Sequence, residues 1–299
     1  EAVQSGGAFA IFLGTSVGSF DGVSVRGNMA GLQGGGGFVT GGPSAFVFER
    51  TTFEGNTVAS AANLSRGGGV YFFGGNVVID ESTFARNVAG GLGGDAAGGA
   101  VMAIGTSLLL RNSTLSGNRV ETTATFGTEI AAESSAAIRL EFTTVVPWDT
   151  AAANTVALAA GSSFEALASI VGGQCAGGGS FTSLGFNVER PPSGSTSTQC
   201  GLIHVSDVQA PGPLLRPLAG YGGPTLTHAV LPEGLGWTFL VPSVQCPAAD
   251  QRGALRSSLF CHAGAFEAET LAPGPWIFSD GFESGDASAW PVVLPGGSS

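Results

Sequence analysis

The chain has 299 residues, of which 50 are glycine, 43% are hydrophobic and only 11% are charged. So much apolar side chain excludes an intrinsically disordered protein, because burial is able to offset chain entropy. The net charge is −11 and every basic residue is an arginine, so the broad cationic patches that hold nucleic acid or anionic membranes are missing.

No run reaches the about 18 consecutive apolar residues of a transmembrane helix. The opening residues Glu1 to Gly7 read as the middle of a repeat, so a longer precursor is expected, with any export signal upstream. From there two markers recur at a period of about 30 residues, the signature of a solenoid. One is a glycine pair leading into an apolar run, at Gly6-Gly7, Gly35-Gly36, Gly67-Gly68 and Gly98-Gly99. The other is an apolar residue three positions before an asparagine: Val25 with Asn28, Phe53 with Asn56, Phe84 with Asn87, and Leu115 with Asn118.

Between the markers lie short β-branched and aromatic runs bounded by Gly and Asn, such as Asn76 to Asp80 and Thr83 to Asn87. That is strand-and-turn chemistry. Three such strands would form one coil, with successive coils about 4.8 Å apart. The fold class predicted is therefore all-β: a right-handed, single-stranded parallel β-helix over roughly residues 1–240, almost free of α-helix.

In that fold Gly36, Gly68 and Gly99 are the positions where coils approach closely. Asn28, Asn56, Asn87 and Asn118 form an inward amide ladder, and Val25, Phe53, Phe84 and Leu115 form a core column. Farther on the repeat loosens. Val145 follows Leu115 in phase, but Trp148 stands where the ladder asparagine belongs.

The glycine-pair and apolar-x-x-Asn markers of residues 6–118 resemble the repeats of polymorphic outer-membrane proteins and related β-helix surface proteins. Three later stretches resemble bacterial choice-of-anchor Q regions: Ser183-Leu184-Gly185-Phe186-Asn187, Pro211 to His228, and Cys246-Pro247-Ala248-Ala249-Asp250-Gln251-Arg252-Gly253 with Cys261 to Glu267. Here Leu231 to Trp237 departs from the family's usual turn, and His262 stands where an Asp is usual. The tail from Asp280 to Trp290 is similar to short terminal segments of exported bacterial proteins. The resemblance implies β-helix repeats over 1–173, anchor-region coils and cap over 174–267, and a linker with a sorting-type tail over 268–299. It implies an exported protein at the bacterial surface or outside the cell, and it defines no enzymatic activity of its own.

Four cysteines at wide spacing suit disulfides of an oxidising compartment better than zinc, which favours close pairs. Four cysteines allow three pairings. Locality favours Cys175–Cys200 and Cys246–Cys261, the second stapling a cap over the last coil.

A search for chemistry finds little. The acids of the regular repeats are Asp21, Glu49, Glu54, Asp80, Glu81, Asp95 and Glu121. Only Asp80 and Glu81 adjoin, and strand neighbours face opposite ways, so no acid cluster on one face is predicted. His204, His228 and His262 lack a nucleophile elbow, and Asp207 near His204 reads as chance adjacency. Asp280, Glu283 and Asp286 offer calcium its oxygen ligands, but acids on such a tail are ordinarily solvated, so no cofactor, metal or catalytic residue is expected. The reading is a monomeric, non-catalytic scaffold touching surface glycans or a host or neighbouring cell surface. The alternative is a polysaccharide lyase or glycoside hydrolase of the pectin-lyase-like type.

Overall fold

A computed structural model describes residues 5–42, 45–60, 64–91, 95–121, 125–148, 154–192, 199–210, 215–230 and 240–268. The chain divides into two units, 1–268 and 269–299. The second, with the linker, the tail and its three acids, lies outside the described residues.

The first unit is an all-β parallel solenoid. Its first sheet stacks Phe9–Phe12, Gly37–Thr40, Val70–Phe73, Val101–Ile104, Ile130–Glu133, Asn154–Leu158 and Gln174–Gly177. The second stacks Gly18–Asp21, Ala45–Glu49, Asn76–Asp80, Ser107–Arg111, Ala137–Glu141, Ser163–Leu167 and Ser180–Gly185. The third, of eight strands, runs from Ser24–Arg26 through Thr52–Glu54, Thr83–Ala85, Thr114–Ser116, Thr144–Val146, Ile170–Gly172 and Val188–Arg190 to Val208–Gln209. Parallel stacking thus passes through residue 173 without a break, in shorter coils. Two narrow sheets complete the middle coils: a fourth of Met29–Ala30, Thr57–Ala59, Val88–Gly90 and Arg119–Glu121, and a fifth of Ser65–Arg66, Ala96–Ala97 and Thr125–Phe126. The middle coils therefore carry five short strands rather than three.

Alternation within each strand sends every second side chain inward. Phe46, Val77, Leu108, Ile138 and Phe164 pair in register down the second sheet, and Val25, Phe53, Phe84, Leu115, Val145 and Val171 down the third. All are buried in one core cluster. Phe53 and Phe84 stack with centroids 4.6 Å apart and planes at 9°.

The glycine phase needs one correction. Strand pairing sets Phe9 beside Gly37 and Gly37 beside Val70, so the turn glycines that match are Gly6, Gly34, Gly67, Gly98 and Gly127, all at φ 61–73°. The closely approached column is accordingly Gly35, Gly68 and Gly99, where an added Cβ would lie 2.3 to 2.4 Å from the next coil's carbonyl oxygen. Gly36 is closely approached too, but in the column of Gly69 and Ala100, its added Cβ lying 2.6 Å from the Gly69 carbonyl oxygen. The run Gly34 to Gly37 is all glycine, so spacing alone cannot phase it; strand pairing does.

The last coil is covered by residues 199–202, which bury Cys200 and Leu202 in the main core, and Cys200 is bonded to Cys175. The second disulfide, Cys246–Cys261, staples the antiparallel pair Leu240–Pro242 with Phe260–His262. That segment does not plug the end of the stack. With residues 215–230 it forms a strap along the outer face of the third sheet, where Val241, Cys261 and Ala263 close a second core cluster over Phe142, Ile170 and Val188. The physical reason is the outward column Thr83, Thr114, Thr144, Ile170 and Val188, whose hydroxyls and apolar side chains need a cover.

Candidate functional site

Each ladder asparagine follows a residue in the left-handed region: Gly27, Gly55, Arg86 and Gly117, at φ 63°, 62°, 55° and 64°. This turn aims the amide of the next residue into the coil. Asn28 Nδ2 donates to Asn56 Oδ1 at 2.9 Å, Asn56 to Asn87 at 2.9 Å, and Asn87 to Asn118 at 2.8 Å. The same three oxygens accept the backbone N–H of the preceding asparagine. The other Nδ2 hydrogens of Asn56, Asn87 and Asn118 go to the carbonyls of Val25, Phe53 and Phe84. Asn56, Asn87 and Asn118 are fully buried. Asn87→Ala should therefore cost about 1–3 kcal/mol, since it strands buried donors on Asn56 and takes a donor from the Phe53 carbonyl. Denaturant unfolding is the check, and an unchanged midpoint would refute a structural role for the column.

The ladder ends on Glu129. In the next coil Trp148 replaces the asparagine and turns outward, 64% exposed. Glu129, which holds the position of Gly69 and Ala100 one or two coils on, reaches into the space instead. Its Oε2 accepts Asn118 Nδ2 at 2.6 Å and its Oε1 accepts the Asn118 N–H at 3.1 Å. Burial pushes this carboxyl up to about 8, against the two Asn118 hydrogen bonds that pull it down. Sequence reading missed Glu129; the signal was an acid at a small-residue position in the first coil that lacks its asparagine.

A second ladder also went unread. Thr51 N–H donates to Ser82 Oγ and Ser82 N–H to Ser113 Oγ. Higher up, Thr143 N–H donates to Ser169 Oγ, Ser169 N–H to Asn187 Oδ1 and Asn187 N–H to Asp207 Oδ1. Asp207 Oδ2 also takes the His204 N–H at 2.7 Å, so Asp207 ends a ladder and orders a turn rather than orienting an imidazole. The recurring Ser/Thr-Thr-apolar triplet at 51–53, 82–84, 113–115 and 143–145 was the available clue.

The acids do gather, contrary to the sequence expectation. Asp21, Glu49, Asp80, Arg111 and Glu141 pair in register along one edge of the second sheet. Glu81 joins them because its left-handed backbone, φ 49°, breaks the strand alternation. Arg50 binds Asp21 at 2.7 Å, Glu49 at 2.5 Å and Glu81 at 3.6 Å, and Arg111 binds Asp80. Burial, then the neighbouring Asp80, raises the Glu81 carboxyl. Arginine shares this edge throughout, and among the described residues no three His, Cys, Asp or Glu side chains are arranged to hold a metal.

The strap docks through the residues that carry the anchor-region resemblance. Gln251 Nε2 donates to Thr83 Oγ1 at 3.0 Å and Thr225 Oγ1 at 2.9 Å, while its Oε1 accepts Thr114 Oγ1 at 2.5 Å. His228 Nε2 lies 2.8 Å from Ser116 Oγ and Nδ1 2.7 Å from the Arg216 carbonyl. A carbonyl only accepts, so Nδ1 carries the proton and Nε2 accepts the serine hydroxyl. Burial holds this imidazole below its ordinary value. A serine on an imidazole is a nucleophile–base pairing, but both side chains are buried where the strap meets the solenoid, and the contact serves docking. His262 faces Glu267, with Nδ1 3.2 Å from Oε1.

Among the described residues an open concavity lies on the outer side of the first sheet. Phe38 and Tyr71 stack there at 5.3 Å, and Tyr71, Met102, Ile104, Ala131 and Ala97 form an external apolar cluster beside Phe126. Against it lies a cleft of about 400 Å³ lined by Leu64, Arg66, Asp95, Ala96, Ala97, Phe126 and Glu133. Arg66 bridges to Glu133 at 3.1 Å. Burial, opposed by Arg66, raises the Tyr71 phenol.

Among the described residues no helix is long and apolar enough to cross a membrane. No protein-family model matches this chain, and no curated protein or solved structure matches it. The chain is an all-β parallel solenoid with two disulfides, which suit an oxidising, extracellular environment.

Proposed function

We propose that this chain is a non-catalytic, exported β-helix scaffold that touches surface glycans along the cleft beside its first sheet. The observation that carries this reading is the cleft's lining. Apolar and aromatic faces at Leu64 and Phe126 adjoin the Arg66–Glu133 pair and Asp95, a mixture that meets both the C–H faces and the hydroxyls of a sugar. The non-catalytic part is supported by the arginine partners of Glu133 and of the acid edge, which leave those carboxylates paired. The motif resemblances point the same way, towards a surface protein of the outer-membrane-repeat and choice-of-anchor Q kinds.

A glycan array run beside an ultraviolet assay for unsaturated or reducing products tests the reading. Binding without turnover is expected. Leu64→Asp and Phe126→Ala should each weaken binding at least about tenfold, or 1.4 kcal/mol. Turnover that disappears on Glu133→Gln or Asp95→Asn would establish the polysaccharide-acting alternative. Unchanged binding in both cleft variants would remove the cleft from the proposal.

A further inference from the structure

We propose that Trp148, Arg119 and Arg86 form a second binding subsite, for an acidic sugar, on a face of the solenoid that the cleft does not reach. Three successive coils supply it. Arg86 follows the strand Thr83–Ala85, Gly117 and Arg119 lie between and at the start of the next coil's third- and fourth-sheet strands, and Trp148 follows Thr144–Val146.

Trp148 is the starting point. It occupies the register of a ladder asparagine, yet Glu129 has taken the inward space, so the indole stands outside with 64% of its surface exposed. Tryptophan is highly buried on average, and here a flat apolar face is left to water. The Arg119 guanidinium lies 5.5 Å from the ring centroid. Gly117, in the left-handed conformation, lies beside the ring. A Cβ there would meet only Trp148 Cε3, at 3.7 Å, and Arg86 Cγ, at 3.9 Å. The indole and the Arg86 stem therefore both flank Gly117, and the Arg119 guanidinium lies over the ring.

This chemistry selects its ligand. The C–H face of a pyranose ring packs on an indole, and a carboxylate on that ring accepts paired N–H donors from guanidinium. Arg119 now binds Glu121 at 2.7 Å and Arg86 binds Glu54 at 2.9 Å, with the arginine side chains 41% and 50% exposed. Such exposed pairs contribute little stability, so a ligand carboxylate is able to exchange with them. The net charge of −11 disfavours long polyanions bound by backbone charge alone, which makes the aromatic platform the necessary element and the arginines the selective one.

The test titrates the intact chain with a cello-oligosaccharide and its C6-carboxylated counterpart by calorimetry. The two probes differ only in the acid group. The carboxylated probe should bind at least about tenfold tighter. Trp148→Ala should abolish binding of both probes, and Arg119→Gln should remove the preference while sparing the weak neutral binding. Val244→Asp, at an exposed position outside both this subsite and the cleft, should leave all of this unchanged. Equal affinity for the two probes, no binding of either, or binding indifferent to Trp148→Ala would each overturn the proposal.

Discussion

Replacing Arg256 with alanine should lower the unfolding free energy by about 3–5 kcal/mol, the usual cost of removing one partner from a buried ion pair. Its side chain is 1% exposed and that of Glu267 is 6% exposed, with 3.1 Å between Nη1 and Oε2. Nη1 also donates to the His262 carbonyl at 2.8 Å, and Nη2 donates to the Gly264 carbonyl at 2.8 Å and to Asn112 Oδ1 at 3.1 Å. The guanidinium lies 4.6 Å from the Phe142 ring centroid. Asn112 and Phe142 belong to the solenoid, the other partners to the strap, so this one group ties the two together.

Burial raises the Glu267 carboxyl, but the hydrogen bonds from His262 and the charge of Arg256 outweigh it and hold the group below its ordinary value. Without Arg256 an anion remains buried. Urea unfolding measures the loss, and limited proteolysis within 240–268 reports release of the strap. Arg256→Lys should fall between the two proteins, because an ammonium keeps the charge but not the planar set of donors. A loss below about 1 kcal/mol would mean that solvent already screens this pair.

Glu129→Gln should flatten the pH dependence of stability between about pH 4.5 and 8. The carboxyl's folded value is raised to about 8 from 4.5, burial being the main cause. Within that window the native state keeps a proton that the unfolded chain releases, so stability falls as pH rises and levels off above the folded value. Across the whole window the effect is on the order of 4 kcal/mol. The glutamine variant keeps an uncharged acceptor, because its Oε1 is able to take both Asn118 donors as the Asn118 Oδ1 takes both of Asn87. It should therefore equal the parent near pH 4.5 and exceed it increasingly towards pH 9. Urea midpoints of both proteins across that range are the measurement, and parallel profiles would show that the carboxyl is solvated or compensated.

The solenoid was legible because its determinants are local and repeated. A period of about 30 residues, alternating apolar strands and the in-phase asparagines state the coil length and the core face without any knowledge of distant contacts. Val25, Phe53, Phe84 and Leu115 stack as the spacing predicts, because a parallel stack converts equal spacing directly into adjacency. The same rule fails where composition is degenerate. Gly34 to Gly37 offers several equivalent phases, and only strand pairing chooses among them.

What the tertiary structure alone decided is everything that depends on residues far apart in the chain. Glu129 completes the ladder because Trp148 vacated a place in the same coil. Glu81 joins the acid edge because a left-handed residue turns it out of alternation. The strap lies on the flank, with His228 on Ser116 and Gln251 on Thr83 and Thr114, because an outward row of hydroxyl and apolar side chains required a cover that no repeat supplies. Those contacts span more than a hundred residues. A periodic sequence specifies its neighbours one coil away, but it carries no period for a segment that returns along the side of the stack.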